Sequence, residues 1–258
     1  MRDAIIELAE QAGRIGLGYF QKAGGAPDVE EKGPLDLVTR ADREIEAFLL
    51  AELARLYPKD GICGEEGTQL RPDARRQWVI DPVDGTFNFV RGLADWAVSI
   101  GLYADGVPVF GVIHAPIRGE TLSGGIDWEP QRNGRHLPPL PSLDRKRGVI
   151  AVGFSTDTPV ERELAALRFI LTELKMTYRH CGSTAAAFLM LAAGQVDGCL
   201  GFGVRSWDVM AGVPVISRLG GVSTIDWRTT GLLQKIDYLA GSAELVELGR
   251  PILGARSG

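Results

Sequence analysis

Trp78-Val79-Ile80-Asp81-Pro82-Val83-Asp84-Gly85-Thr86-Phe87-Asn88-Phe89 runs an apolar segment straight into two aspartates, a proline and a glycine. Trp78-Val79-Ile80 predicts a short buried strand that stops at Asp81-Pro82. Pro82 fixes its φ angle, Gly85 permits a tight turn, and Thr86 opens a helical turn. Two carboxylates this close at a strand end either share a proton or hold a cation. Hard oxygen donors suit Mg²⁺, Mn²⁺ or Ca²⁺ rather than zinc. An Asx-type turn, each aspartate capping local backbone, is the alternative reading of Asp-Pro alone. The helix start that follows favours the cation, because the N–H groups of Gly85 and Thr86 there would attract an anionic phosphoryl group.

On the N-terminal side, Ile5, Leu8, Ala9, Ala12, Ile15 and Tyr19 fall on one face of an amphipathic helix over 4–20. Val29 to Lys32 reads as a short strand. A second helix spans Thr39 to Leu56, with Thr39 as N-cap and Ile45, Phe48, Leu49, Leu53 and Leu56 on one side. On the C-terminal side, Ala97–Leu102 and Val107–Ile113 predict strands joined at Asp105-Gly106, a hairpin signal. The proline-rich stretch from Leu137 to Arg147 is the expected boundary between residues 1–140 and 141–258. Beyond it come a strand at Val149–Val152 and helices at Pro159–Leu174, Thr184–Ala193 and Trp207–Leu219. Alternating strand and helix there indicates layered α/β structure.

The 258 residues are 45% hydrophobic and 24% charged, an ordinary globular balance. A net charge of -5 offers no basic face for nucleic acid, and the short Asp144-Arg145-Lys146-Arg147 cluster reads as a solvated loop. No apolar run is long enough for a membrane span and no signal sequence opens the chain, so the expected location is cytoplasmic. Cys63, Cys181 and Cys199 are odd in number and widely spaced, fitting reduced thiols better than a disulfide framework or a zinc site.

The quoted segment resembles the first hallmark of the inositol monophosphatase family. Trp207-Asp208-Val209-Met210-Ala211-Gly212, followed by Gly220-Gly221-Val222, resembles the second. Gly64-Glu65-Glu66, and Lys32 with Asp36 to Asp42, fall in the order the family shows. The resemblance implies an α-β-α-β-α sandwich of the inositol monophosphatase and fructose-bisphosphatase type. It also implies hydrolysis of a small phosphorylated metabolite, inositol 1-phosphate by default, by water activated with two to three Mg²⁺ ions, Mn²⁺ serving as a substitute. Glu65, Asp81 and the carbonyl of Val83 match the ligands of a first ion; Asp81, Asp84 and Asp208 match those of a second. Thr86 and Asp42, with Glu65, match the groups that activate water, and Gly85 and Thr86 those that hold phosphate. Asp84 and the Gly182-Ser183-Thr184 loop match the substrate side, with Arg205 near the mouth of the site. A homodimer is expected on the same ground, and Lys32 matches a loop lysine near the ions.

Three positions depart from the family pattern. Phe87 and Met210 stand where small or polar residues are usual, and Phe87 is expected mainly to pack. Gly201 stands, by register from Trp207, where inositol-reading members carry a glutamate, and restoring it is expected to raise preference for inositol phosphates. Histidinol phosphate is therefore the alternative substrate, ahead of fructose 1,6-bisphosphate or adenosine 3′,5′-bisphosphate. A non-catalytic interaction protein and a calcium module are the competing classes; the complete carboxylate set disfavours the first and the missing Ca²⁺ loop the second. His114, His136 and His180 match no triad and receive no catalytic role.

Overall fold

The computed structural model describes residues 1–22, 29–33 and 36–254, without the side chains of residues 21–38. The side chain of Lys32 lies outside that description.

The order of layers follows from which faces are apolar. Helix Arg2–Lys22 and helix Arg40–Leu56 present Ile5, Leu8, Ala12, Ile45, Leu49 and Leu53 to one face of an eight-stranded sheet, where Trp78, Ile80, Val98, Ile100 and Val112 meet them. That sheet runs through strands Gly61–Gly64, Arg76–Asp84, Ala97–Ala104, Val107–Ala115 and Glu120–Gly125, mostly antiparallel, with Gly61–Gly64 parallel to Arg76–Asp84. Its other face supports helices Thr184–Ala192, Ser206–Val209 and Gly212–Arg218. These form the middle layer, and helix Thr184–Ala192 is buried from Ala185 onward because sheets flank it on both sides. A five-stranded sheet follows, centred on Gly198–Val204 between Val149–Phe154 (parallel) and Ile236–Gly241 (antiparallel). Helices Val160–Phe169, Ala243–Gly249 and Pro251–Gly254 cover its far side. The result is the expected α-β-α-β-α arrangement.

Residues 137–148, which include the proline-rich stretch from Leu137 to Arg147, contain no helix or strand and connect the two sheets. Strands Thr177–His180, Gly198–Val204 and Ile236–Gly241 escaped sequence reading. Glycines interrupt the second of them, and the first is exposed along its length, so neither shows a clean period of two. The predicted helix over 207–219 is two short helices broken at Met210-Ala211.

That broken segment lies directly on the first sheet. Met210 is fully buried against Gly101, and the backbone of Ala211 lies against Gly111, which pairs with Gly101 across the hairpin. A side chain at either glycine would occupy the space of the Asp208 helix. Met210 thus fills a notch that the sheet leaves for it. The approach of Asp208 to the first sheet depends on this glycine pair.

Gly111→Ala is expected to lower unfolding free energy by about 1–3 kcal/mol, the usual cost of overpacking. Gly18→Ala, in open space on helix Arg2–Lys22, is expected to raise it by about 0.5–1 kcal/mol through propensity alone. Urea unfolding of both variants checks the contrast; equal effects would contradict the packing account.

Candidate active site

The decisive local feature is an irregularity in strand Arg76–Asp84. Along a regular strand, residues three apart point to opposite faces. Here Asp81 pairs with Ser99 and Asp84 with Ala97, so this strand carries one extra residue between them. The bulge turns both carboxylates toward one side. Pro82 sits within it, where no ladder hydrogen bond is needed. The strand therefore continues through Asp81-Pro82, where the sequence predicts its end, and stops at Asp84. The Val83 N–H donates to Asp81 Oδ1 at 3.0 Å, so the Asx-type interaction coexists with the carboxylate cluster.

Asp208 joins from the second half of the chain. Single carboxylate oxygens of Asp81, Asp84 and Asp208 lie within 4.8 Å of one another. Asp208 is not itself the N-cap of its helix; it accepts the Arg205 N–H at 2.7 Å from the third helical position. Ser99, the pairing partner of Asp81, donates from Oγ to the Trp207 carbonyl at 3.1 Å, tying that helix to the first sheet. Asp84 faces the N-terminus of helix Thr184–Ala192. It accepts Ser183 Oγ at 2.7 Å, the Thr184 N–H at 3.3 Å and the Ala185 N–H. Ser183 is at the same time that helix's N-cap. The loop expected to face substrate thus also holds Asp84.

Glu65 completes the acidic group. One of its carboxylate oxygens, Oε2, is buried with no hydrogen-bond partner, an expensive condition for a carboxylate. Burial and the neighbouring charge of Asp208 push its carboxyl well above the ordinary range. Burial, then the charges of Glu65, Asp84 and Asp208, do the same to Asp81. Burial takes Asp208 up to about 8, and takes Asp84 to about 6 against its hydrogen bonds to Ser183, Ala185 and Thr184. An orphaned carboxylate oxygen and mutually repelling hard donors are what a divalent cation satisfies, so these residues fit one.

Asp42 and Thr86 lie beside this group. Asp42 is fully buried, and its Oδ2 accepts the Thr39 N–H at 2.9 Å and the Thr39 hydroxyl, closing the capping box of helix Arg40–Leu56. Burial raises it to about 6. Its Oδ1 is 3.4 Å from Thr86 Oγ1, which also reaches the Val83 carbonyl at 3.1 Å. Gly85, at φ 97°, caps helix Thr86–Val90 and lies against the Gly182 carbonyl at 3.1 Å from its would-be Cβ.

Two residues important to this geometry were not picked out from sequence. Glu46, buried one turn beyond Asp42, accepts the Glu66 N–H at 2.9 Å and the Thr68 N–H at 3.3 Å. It thereby holds the loop carrying Glu65, and Gly64 leaves room for its carboxylate. The i, i+4 spacing of two acids on a helix with Ile45 and Leu49 was the available signal. Asn88 donates to the Cys181 carbonyl at 2.8 Å and the Asp95 carbonyl at 2.6 Å, joining the first hallmark to the Gly182 loop.

A cleft of about 1010 Å³ opens from the acidic group, lined by Glu65, Asp84, Ser183, Thr184, Arg205 and Asp208 among others. Arg205 Nη1 donates to the Leu233 carbonyl at 2.9 Å, which fixes the guanidinium on the cleft wall. Two expectations require correction. Phe87 does not pack: it is 47% exposed at the cleft rim, because the turn at Gly85 directs it outward. Gly201 has no room for a glutamate, since the ring of Tyr238, its cross-strand partner, covers it.

Hard carboxylate donors brought together from both halves of a five-layer frame, beside a helix start and a cleft, fit a layered α/β protein with a site for divalent cations. The comparisons agree: the model of the inositol monophosphatase family matches residues 1–250, and the chain belongs to that family. It is 31% identical over 228 residues to Nus factor SuhB of Escherichia coli strain K12, covering 86% of this chain and 84% of that one. It is 32% identical over 221 residues to an inositol-1-monophosphatase of Synechocystis, covering 84% and 77%. The crystal structure of the suppressor protein SuhB of Bartonella henselae superposes with a TM-score of 0.88 at 28% identity over 99% of both chains. No described helix is long and apolar enough to cross a membrane.

The raised carboxyl groups set a pH signature for metal-free protein. Each binds protons more tightly folded than unfolded, so its stabilising contribution is complete below about pH 4 and is lost as pH rises through the folded values of about 6 and 8. His114, held down to about 4 by burial, acts oppositely only below about pH 6.5. In a chelator, the melting temperature is therefore expected to fall from pH 6.5 to 8.5, and excess Mg²⁺ to remove most of that fall. A metal-free melting temperature that rises over this range would contradict the assignment.

Proposed function

We propose that this protein is a Mg²⁺-dependent phosphomonoesterase of a small phosphorylated metabolite, with inositol 1-phosphate as the reference substrate and histidinol phosphate as the alternative. The observation that carries the reading is the convergence of Asp81, Asp84 and Asp208 next to the orphaned Glu65 oxygen. Glu65, Asp81 and the Val83 carbonyl would hold one ion; Asp81, Asp84 and Asp208 would hold a second. The ions supply Lewis acidity, lowering the pKa of water in the site and neutralising charge on the phosphoryl group and the departing alkoxide.

The chain's own residues supply the rest. Asp42, with one oxygen committed to Thr39, keeps Oδ1 toward Thr86. Thr86 Oγ1 takes a proton from the attacking water as it passes its own to Asp42, whose value near 6 suits a base at neutral pH. Water oxygen bonds to phosphorus, the ester P–O bond breaks in line, and the alcohol leaves with a proton from solvent. The N–H groups of Gly85 and Thr86, at a helix start without internal acceptors, hold phosphoryl oxygens. The Gly182-Ser183-Thr184 loop and Arg205 face the alcohol part from the cleft wall. Arg205 would suit a leaving group bearing a second phosphate, which supports keeping fructose 1,6-bisphosphate and adenosine 3′,5′-bisphosphate in a panel with inositol 1-phosphate and histidinol phosphate. The working form is taken as a cytoplasmic homodimer, as family resemblance implies.

The name Nus factor, carried by the E. coli relative, supports a second reading in which the fold serves protein assembly. The intact acidic set favours catalysis. Asp81→Asn is expected to reduce Mg²⁺-dependent turnover to below a tenth of wild type while the far-ultraviolet spectrum is unchanged, about 1.4 kcal/mol or more in the barrier. Asp42→Asn is expected to lower kcat by about 10²–10⁴, the usual yield of a general base, and to remove the acid limb of the pH profile near pH 6 with Mg²⁺ affinity retained. Wild-type protein that binds Mg²⁺ but hydrolyses none of the four esters would overturn the enzymatic reading.

A further inference from the structure

Tyr238 is the large polar side chain at the floor of the cleft that the mechanism above does not use. It is 2% exposed, yet it borders the cleft together with Asp84, Asp208 and Ala187. Two contacts fix its ring. Phe188, on the middle helix, stacks on it with ring centres 5.7 Å apart and planes 12° apart. Gly201, opposite it across the strand pair, leaves open the volume that the ring edge fills; any Cβ there would overlap Cε1. The ring is therefore held between a glycine backbone and an aromatic face, with little freedom to rotate away.

Its hydroxyl, by contrast, has no partner: none of the hydrogen bonds among the described residues involves it, and it is not among the polar atoms sealed from the cleft. The ring is buried while its hydroxyl stays open to the cleft, which leaves the donor available to a ligand there. Burial, and the charges of Cys199, Asp208 and Asp84, hold its proton firmly in place. The group is a fixed, neutral donor on the lining of the cleft. It does not bond to Asp84 or Asp208, so it is free of a supporting role toward either.

We propose that Tyr238 is a specificity-determining residue whose hydroxyl donates a hydrogen bond to an acceptor oxygen on the alcohol part of the phosphate ester, selecting esters that carry such an oxygen. The inference rests on the phosphomonoesterase reading and adds which part of the ester is recognised. A site built to pair a polar group discriminates strongly against a ligand that leaves that group unpaired.

Tyr238→Phe removes only the oxygen and keeps both the Phe188 stack and the Gly201 contact. With Mg²⁺ present, kcat/KM for the best of the three esters whose alcohol part carries further oxygens (inositol 1-phosphate, fructose 1,6-bisphosphate and adenosine 3′,5′-bisphosphate) is expected to fall at least about tenfold, chiefly through KM, whereas phenyl phosphate, whose leaving group offers no further acceptor, changes less than about twofold. Equal losses for both esters would mean that Tyr238 supports the acidic site, and no loss for either would mean that it touches no substrate; each result overturns the proposal. Should wild type hydrolyse none of the esters, the phosphatase reading fails separately. Calorimetric binding of the same panel and of phenyl phosphate to Mg²⁺-loaded wild type and variant then decides. Selective weakening of a panel ester by about tenfold upholds the role of Tyr238, and unchanged or absent binding rejects it.

Discussion

Carboxylate oxygens from Asp81, Asp84 and Asp208 lie within 4.8 Å of one another, and a Glu65 oxygen beside them is buried without a partner. Left to themselves, such charges repel and resist burial, and several must take up protons to remain in place. Much of the surrounding architecture makes sense as a means of imposing this costly arrangement. The bulge at Pro82-Val83 turns two carboxylates the same way, and helix Thr184–Ala192 lends its N-terminus to Asp84. The glycine notch at Gly101 and Gly111 lets the Asp208 helix descend onto the first sheet.

The same carboxylate group spans the two sheets. Asp81 and Asp84 belong to the first sheet, whereas Asp208 follows a strand of the second. Ser99, Asn88 and Ser183 each hydrogen-bond across that division within the site's immediate surroundings. A cation there would act as a further cross-link, binding the folded chain and not the unfolded one, and so would couple metal affinity to stability. The cleft lies over the same junction, so the residues that hold the chemistry and those that face the alcohol part come from opposite sides of it.

Much of this was legible in the sequence, for specific physical reasons. Asp81-Pro82-Val83-Asp84-Gly85-Thr86 announces itself because a buried run ending in two acids has few stable explanations. Thr39 read correctly as a helix N-cap because capping is local. The long helices showed their periodicity. What stayed hidden depends on contacts between distant parts of the chain. The bulge that extends the strand past Pro82 appears only against its partner strand. Phe87 has an apolar side chain but points outward, since the turn at Gly85 and not hydrophobicity decides its direction. Gly201 looked like the loss of a substrate-reading acid, but the volume it vacates belongs to Tyr238, which no sequence spacing connects to it. Glu46 was readable in principle from its spacing to Asp42, yet its role depends on the loop it holds.

The most direct test of the central claim is crystallographic. Crystals grown or soaked with Mn²⁺ in place of Mg²⁺ should give an anomalous difference peak among Asp81, Asp84 and Asp208, with a second beside Glu65 and the Val83 carbonyl. Well-ordered crystals with no anomalous density between these carboxylates at saturating Mn²⁺, or with Mn²⁺ bound only elsewhere, would contradict the account.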